Sequence, residues 1–236
     1  MSTLRSAGFL LCALQLTALA ARDKSASQPM SMQMQIVVLL TLLTLLPAAV
    51  MSLTPFLRIS IVLHFLRQAL GTQTAPSNQV LIGLSLFLAL FVMKPVAGEV
   101  FNKAWGPLER GEINATQALE AASQPMKGFM LRFAREKDIQ LFLEISKTPP
   151  PQTPQDLDLT VLMPAYILSE LKAGFQIGAV LFLPFLIIDL VVASVTVSIG
   201  MVQLPPVMIS APFKILLFVL VDGWNLVVGS LVKSFL

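Results

Sequence analysis

The sequence predicts an all-α membrane protein with about four hydrophobic helical segments and one polar, helical, extracytoplasmic insert. Three observations predict it. Hydrophobic residues make up 56% of the chain and charged residues only 12%, whereas soluble globular proteins carry roughly 25% charged residues. The charges are also confined. Residues 94–160 hold Lys94, Lys103, Arg110, Lys127, Arg132, Arg135, Lys137 and Lys147 against nine carboxylates, while 173–236 hold only Asp189, Lys214, Asp222 and Lys233. Finally, the uncharged runs on either side of the insert reach the length of about 20 residues that a membrane-crossing helix needs.

The first twenty residues read as a cleavable signal peptide. Arg5 is the charged leader, 7–16 a short apolar run, and Ala18-Leu19-Ala20 a small-residue cleavage site. An uncleaved short anchor is the alternative. Cys12, the one cysteine, lies in this segment behind Leu11, which is too large for a lipoprotein signal. The mature chain would then hold no disulfide and no thiolate metal site. Residues 21–35 form a short polar N-terminal segment, and 36–236 a single membrane domain interrupted by the insert at 94–160.

Within that domain, 31–57 is uncharged and long enough for one span, with Pro47 and Pro55 marking a kink or an end. Arg58 and Arg67 then flank a connection without carboxylates, followed by a turn-rich break over 71–78. Residues 68–93 are the second uncharged stretch, closed by Lys94-Pro95. In the insert, Asn114 and Gln117 have the spacing of a capping box, and Leu119, Ala122, Met126, Phe129 or Met130, and Phe133 recur at helical intervals. Pro125 should bend that helix, and prolines 149–151 and 154 mark an extended linker. The stretch 161–199 is too long for its setting. As one helix it would run about 58 Å, against a hydrocarbon core of about 30 Å. It must bend, fold back, or rise out of the bilayer into protein surroundings, and Gly174, Gly178 and Pro184 offer places to turn. A Gly/Pro-rich turn over 200–212 leads to the last segment, 213–236. The positive-inside tendency places the Arg58–Arg67 connection in the cytoplasm, and hence the insert outside.

Several function classes fall away. There is no nucleotide-binding glycine loop, paired-histidine motif or nucleophile elbow, and His64 is the sole histidine. No histidine relay or metal cluster can form within one chain, and no cofactor is expected. A net charge of +3, spread along the chain, does not describe a nucleic-acid surface. Asp189, Lys214 and Asp222 stand in apolar sequence, where each would be costly unless it faces protein or water. They could form an ion path. The favoured reading is that they pair across helices or subunits and fix assembly, because no chain of titratable groups connects them.

Several runs resemble the FliP family, a subunit of the flagellar type III protein export gate. They are RISIVLHFLRQALGTQ at 58–73, NQVLIGL at 78–84, PAYILSELKAGFQIG at 164–178, FLPFLIID at 182–189 and PFKILLFVLVDGW at 212–224. Together they cover nearly the whole mature chain in the family order, and Gly71-Thr72-Gln73 with Asn78-Gln79 looks flagellar rather than injectisome-like. Two departures stand out. Before Arg58 the chain reads Leu53-Thr-Pro-Phe-Leu57 in place of a Ser/Thr-Phe-Thr run. After Gly200 it reads Met201-Val-Gln-Leu204 where the family commonly has methionines. The resemblance implies several copies assembling with FliQ and FliR into a ring-like, helical complex of kinked hairpins around an export channel in the inner membrane. FlhA, FlhB and the basal-body ring would be neighbours, and unfolded rod, hook and filament proteins the cargo. It also implies that Gly200, Met201, Val202, Gln203 and Leu204 form the constriction that keeps the channel shut, since apolar side chains can close a pore by dewetting. An ordinary helix-to-helix turn is the alternative for that loop. For the whole chain, the rival functions are an injectisome subunit, a small-solute transporter and a scaffold that does not line the channel.

Overall fold

A computed structural model describes residues 31–72, 74–147, 149, 151–201 and 205–235. The proposed signal peptide and most of the polar N-terminal segment lie outside the described residues. Two compact units are present, Met1–Pro47 and Ala48–Leu236. Among the described residues the elements are helical throughout, with no strand.

Helix α1 (Met32–Leu53) begins in the first unit and carries Pro47 within it. Leu39, Leu40, Leu43 and Leu45 are exposed, while Leu53 at its end packs on the core. A helix apolar on every side suits lipid or a protein partner rather than water. Its hydroxyls agree with that setting, because Thr41 donates to Val37 O (2.8 Å) and Thr44 to Thr41 O (2.8 Å). Neither leaves a polar hydrogen seeking water.

In the second unit, α2 (Phe56–Ala69) is the centre of the core. Ile59, Val62, Leu63, Leu66 and Ala69 are fully buried, and their spacing of three and four residues is one helix face. This corrects the expectation of a charged connection at 58–67. Pro55 ends α1 and sits at the N-cap of a new helix, so Arg58 is buried in the core rather than marking a loop. Arg67 instead donates to Asn78 Oδ1 at 2.6 Å, across the turn to the next helix.

Helix α3 (Asn78–Val100) continues through a π-helical stretch (Phe101–Trp105) into α4 (Gly106–Glu109), a run of 32 residues in all. The expected end at Lys94-Pro95 is not there. Pro95 lies inside the helix, and the true stop is Gly111, whose φ of +70° turns the chain away. Helix α5 (Ala115–Phe133) starts at the anticipated capping box. Gln117 N–H donates to Asn114 Oδ1 (2.9 Å) and Asn114 N–H to Gln117 Oε1 (3.0 Å). Helix α6 (Glu136–Ser146) completes the insert.

The long stretch resolves into one unbroken helix of 40 residues, α7 (Leu159–Ser198), about 60 Å at about 1.5 Å per residue. It does not fold back at its glycines, for a reason that packing supplies. Gly174 lies against Ile61, and Gly178 against the Phe65 ring. The glycines let α2 approach closely instead of breaking α7. Helix α8 (Pro206–Leu220) starts seven residues before the expected 213, with Pro206 at a helical N-terminus where its missing N–H costs nothing. The last segment is not one helix either. Helix α9 (Gly223–Lys233) departs from α8 at 68°, because Asp222 takes a left-handed φ of 51°. Among the described residues, two helical runs, Asn78–Glu109 and Leu159–Ser198, are long and apolar enough to cross a membrane alone, or up to four if bent pairs count as one span.

Candidate functional site

The buried charges cluster along α7. Lys214, on α8, is 1% exposed, and an ammonium so placed needs partners. Its Nζ donates to Asp189 Oδ2 on α7 (2.6 Å) and to Ala69 O on α2 (3.0 Å). Ala69 is the last residue of α2, where carbonyls lack helical partners and the helix dipole favours a cation. Ser210, one turn before Lys214, donates to the other Asp189 oxygen. One ion pair thus ties α2, α7 and α8 together. Asp222 does not join it. That residue is exposed at the head of α9, and its carboxylate accepts only from Asn225 Nδ2 (3.2 Å) among the described contacts.

The turn between α7 and α8 has a defined start. Gly200 N–H donates to Val197 O (3.0 Å) and Met201 N–H to Thr196 O (3.0 Å). This pair of bonds is a Schellman ending, which requires the left-handed φ of +75° that Gly200 has. Met201 is exposed. Val202, Gln203 and Leu204 lie outside the described residues.

Two further polar clusters escaped the sequence reading. Arg58 and Glu170 form a buried pair, with Nε donating to Oε2 at 3.0 Å and Nη2 to Oε1. The guanidinium also donates to Ser234 Oγ (3.3 Å) and lies 4.0 Å from the Phe235 ring centroid. It therefore holds the C-terminal end of the chain to α2 and α7. The signal was available, since Glu170 is the lone acid between Asp158 and Asp189. The second cluster joins α6 to α7. Asp138 is buried and accepts from Ser169 Oγ (2.7 Å) and Lys172 Nζ, while Ser169 Oγ accepts from Arg135 N–H (2.9 Å). Burial pushes the Asp138 carboxyl up, but the Lys172 and Ser169 hydrogen bonds, with the charges of Lys172 and Arg135, outweigh it and hold the group below the usual carboxylate range. Among the described residues, no three His, Cys, Asp or Glu side chains converge as metal ligands.

Long apolar helices, joined by buried ion pairs, define a helical membrane protein. Comparison with known sequences gives the family. The FliP family matches residues 39–231. The flagellar biosynthetic protein FliP of Pectobacterium carotovorum subsp. carotovorum is 52% identical over 211 residues, covering 89% of this chain and 82% of that protein. The FliP of Bacillus subtilis (strain 168) is 50% identical over 213 residues, 89% of this chain and 96% of its own. That of Borreliella burgdorferi is 42% identical over 217 residues, 91% and 85% of the two chains. The chain belongs to the FliP family and is a flagellar biosynthesis and export protein. That is not a known enzyme class.

Proposed function

We propose that this chain is a pore-forming core subunit of the flagellar type III export gate in the bacterial inner membrane, passing rod, hook and filament proteins. The observation that carries the reading is α7. It is about twice as long as the hydrocarbon core is thick, yet Leu183, Ile187, Leu190, Val191 and Val195 stay exposed along its second half. Lipid cannot cover the whole length of such a helix, and a monomer leaves its apolar faces open, so neighbouring subunits are required. Further copies of this chain with FliQ and FliR are those neighbours, with FlhA, FlhB and the basal-body ring around them. The Lys214–Asp189 pair would stiffen the α7–α8 hairpin at that assembly. The turn Gly200, Met201, Val202, Gln203 and Leu204 would close the channel. The flagellar names of the relatives favour this over an injectisome role.

The test is the native mass of the complex after mild detergent extraction from flagellated cells. A hetero-oligomer holding several copies of this chain with the two sister subunits is expected. A protein that runs only as a monomer or small homo-oligomer, as a solute transporter would, overturns the proposal.

A further inference from the structure

Asp222 and Arg67 are charges of opposite sign that form no ion pair among the described residues. Asp222 is exposed at the joint of α8 and α9, and its carboxylate does not cap α9. Its described hydrogen bond comes from the neutral Asn225 Nδ2, at 3.2 Å. Arg67, half-buried near the end of α2, donates to two neutral oxygens, Asn78 Oδ1 (2.6 Å) and Pro76 O (3.4 Å). Neither charge stands on a surface built for water. Val219, Leu220, Val221 and Leu226 are exposed around Asp222, and Val80 and Ile82 just beyond Asn78. Covering such apolar flanks encloses the two charges as well, which is costly unless each meets its opposite.

The two charges stand at one level of the fold. Arg58 pairs with Glu170, Ile61 lies against Gly174 and Phe65 against Gly178, so α2 and α7 run the same way. Arg67, two residues beyond Phe65, is therefore level with Val180. Helix α8 runs the opposite way, since Lys214 bonds Asp189 and Phe218 packs on Phe185. Asp222, four residues beyond Phe218, is therefore level with Leu181. They also lie on different flanks. Val62 meets α9 beside Val227 and Leu231, whereas Arg67, five positions on, is about 140° round α2 at about 100° per residue, toward α3. Lys94 and Lys233 are exposed but stand toward the insert, next to Val92 and Phe235, which line a groove with Phe129 of α5. The backbone at Asp222 agrees with a role for its charge. Its φ of 51° costs glycine least and is tolerated by Asp and Asn. Glycine would make the 68° bend more easily, so what Asp adds is the carboxylate.

We propose that a second copy of this chain docks its α2–α3 flank on the α8–α9 flank of the first, with Arg67 of one copy pairing with Asp222 of the next. The contact joins two different surfaces, so it repeats head to tail and the same pair forms at each further copy. Two copies side by side in register bring the charges together, because Arg67 and Asp222 share a level. The pairing rests on the proposed export-gate assembly and names the contact between its copies.

The experiment follows the exchange of tagged copies in complexes extracted from flagellated cells in mild detergent. Asp222→Asn keeps a residue that tolerates the left-handed backbone, so the purified chain should melt as the wild type does. Copies should nevertheless leave its complex at least about tenfold faster, and Arg67→Gln should raise that rate as well. Asp222→Lys should lose the contact, and Arg67→Asp/Asp222→Lys should regain it, which a purely structural role for either residue does not predict. Gln79→Cys with Asn225→Cys, both exposed positions, should give a ladder of linked copies with a short bis-maleimide. A wild-type exchange rate for Asp222→Asn in a complex that still holds several copies would overturn the pairing and leave the assembly standing. So would cross-links from position 225 to a sister subunit in place of a second copy. A wild-type chain extracted without further copies would overturn the assembly and the pairing with it.

Discussion

Replacing Gly178 by alanine tests how α2 and α7 are held together. A Cβ built there would stand 2.6 Å from Phe65 Cγ, 2.8 Å from Cδ2 and 3.0 Å from Cβ. Rotating the ring moves only Cδ2, and turning the side chain about Cα–Cβ moves Cγ as well but leaves the third contact, because Phe65 Cβ is fixed to the α2 backbone. The helices must therefore part, and overpacking of this kind costs about 1–3 kcal/mol. Alanine in a helix interior returns about 1 kcal/mol of backbone propensity. The contact at Cβ places the cost toward the top of its range, so a net loss of about 1–2 kcal/mol is expected. Gly83 in α3 supplies the control, since nothing lies within 4 Å of its added Cβ. Gly83→Ala should be neutral or stabilising by up to about 1 kcal/mol. Thermal unfolding of the detergent-solubilised protein reads both, and Phe65→Leu should recover part of the Gly178→Ala loss. If Gly178→Ala melts at or above the wild type, as Gly83→Ala should, close approach at this glycine does not hold the helices.

Three other outcomes follow from the polar clusters and the turn. Lys214→Met strands Asp189, and breaking a buried pair costs about 3–5 kcal/mol; the lower end applies because the Asp189 side chain keeps 19% exposure. Complex yield on native gels should fall and recover partly in Lys214→Met/Asp189→Asn, whereas an undiminished single variant would deny the pair any role in assembly. The Asp138 carboxyl is held below its ordinary range, so its contribution to stability is complete above the unfolded value and is lost as pH falls through the folded one. Melting temperature between about pH 6 and pH 2.5 should drop more steeply for the wild type than for Asp138→Asn, and parallel curves would contradict the linkage. Removing 201–203 should raise ion leak, read with a membrane-potential dye; a variant that assembles, secretes and leaks as the wild type does would rule the turn out as the closure.

The parts of the fold legible in the sequence are those set by local chemistry. The Asn114–Gln117 cap depends only on two side chains three residues apart, and the structure has it. The excess length of 161–199 was countable, and α7 is one helix. What depends on distant packing was not legible. Gly174 and Gly178 look like hinges until Ile61 and Phe65 are seen against them. Pro95 looks like a stop, yet a proline removes one donor and the helix continues through it. Arg58 looks like a loop charge because its partner, Glu170, is 112 residues away. Of the three apolar-sequence charges, Asp189 and Lys214 meet because α7 and α8 form a hairpin. Asp222 stays apart because its own left-handed backbone breaks the helix there.

The most direct test of the central claim is secretion. In a strain whose own copy is deleted and replaced by this chain or by an empty vector, hook and filament proteins are measured in the culture medium. The chain should restore both, and the empty-vector strain should secrete neither and be non-motile. Normal secretion of filament protein without the chain would contradict its place in the export gate.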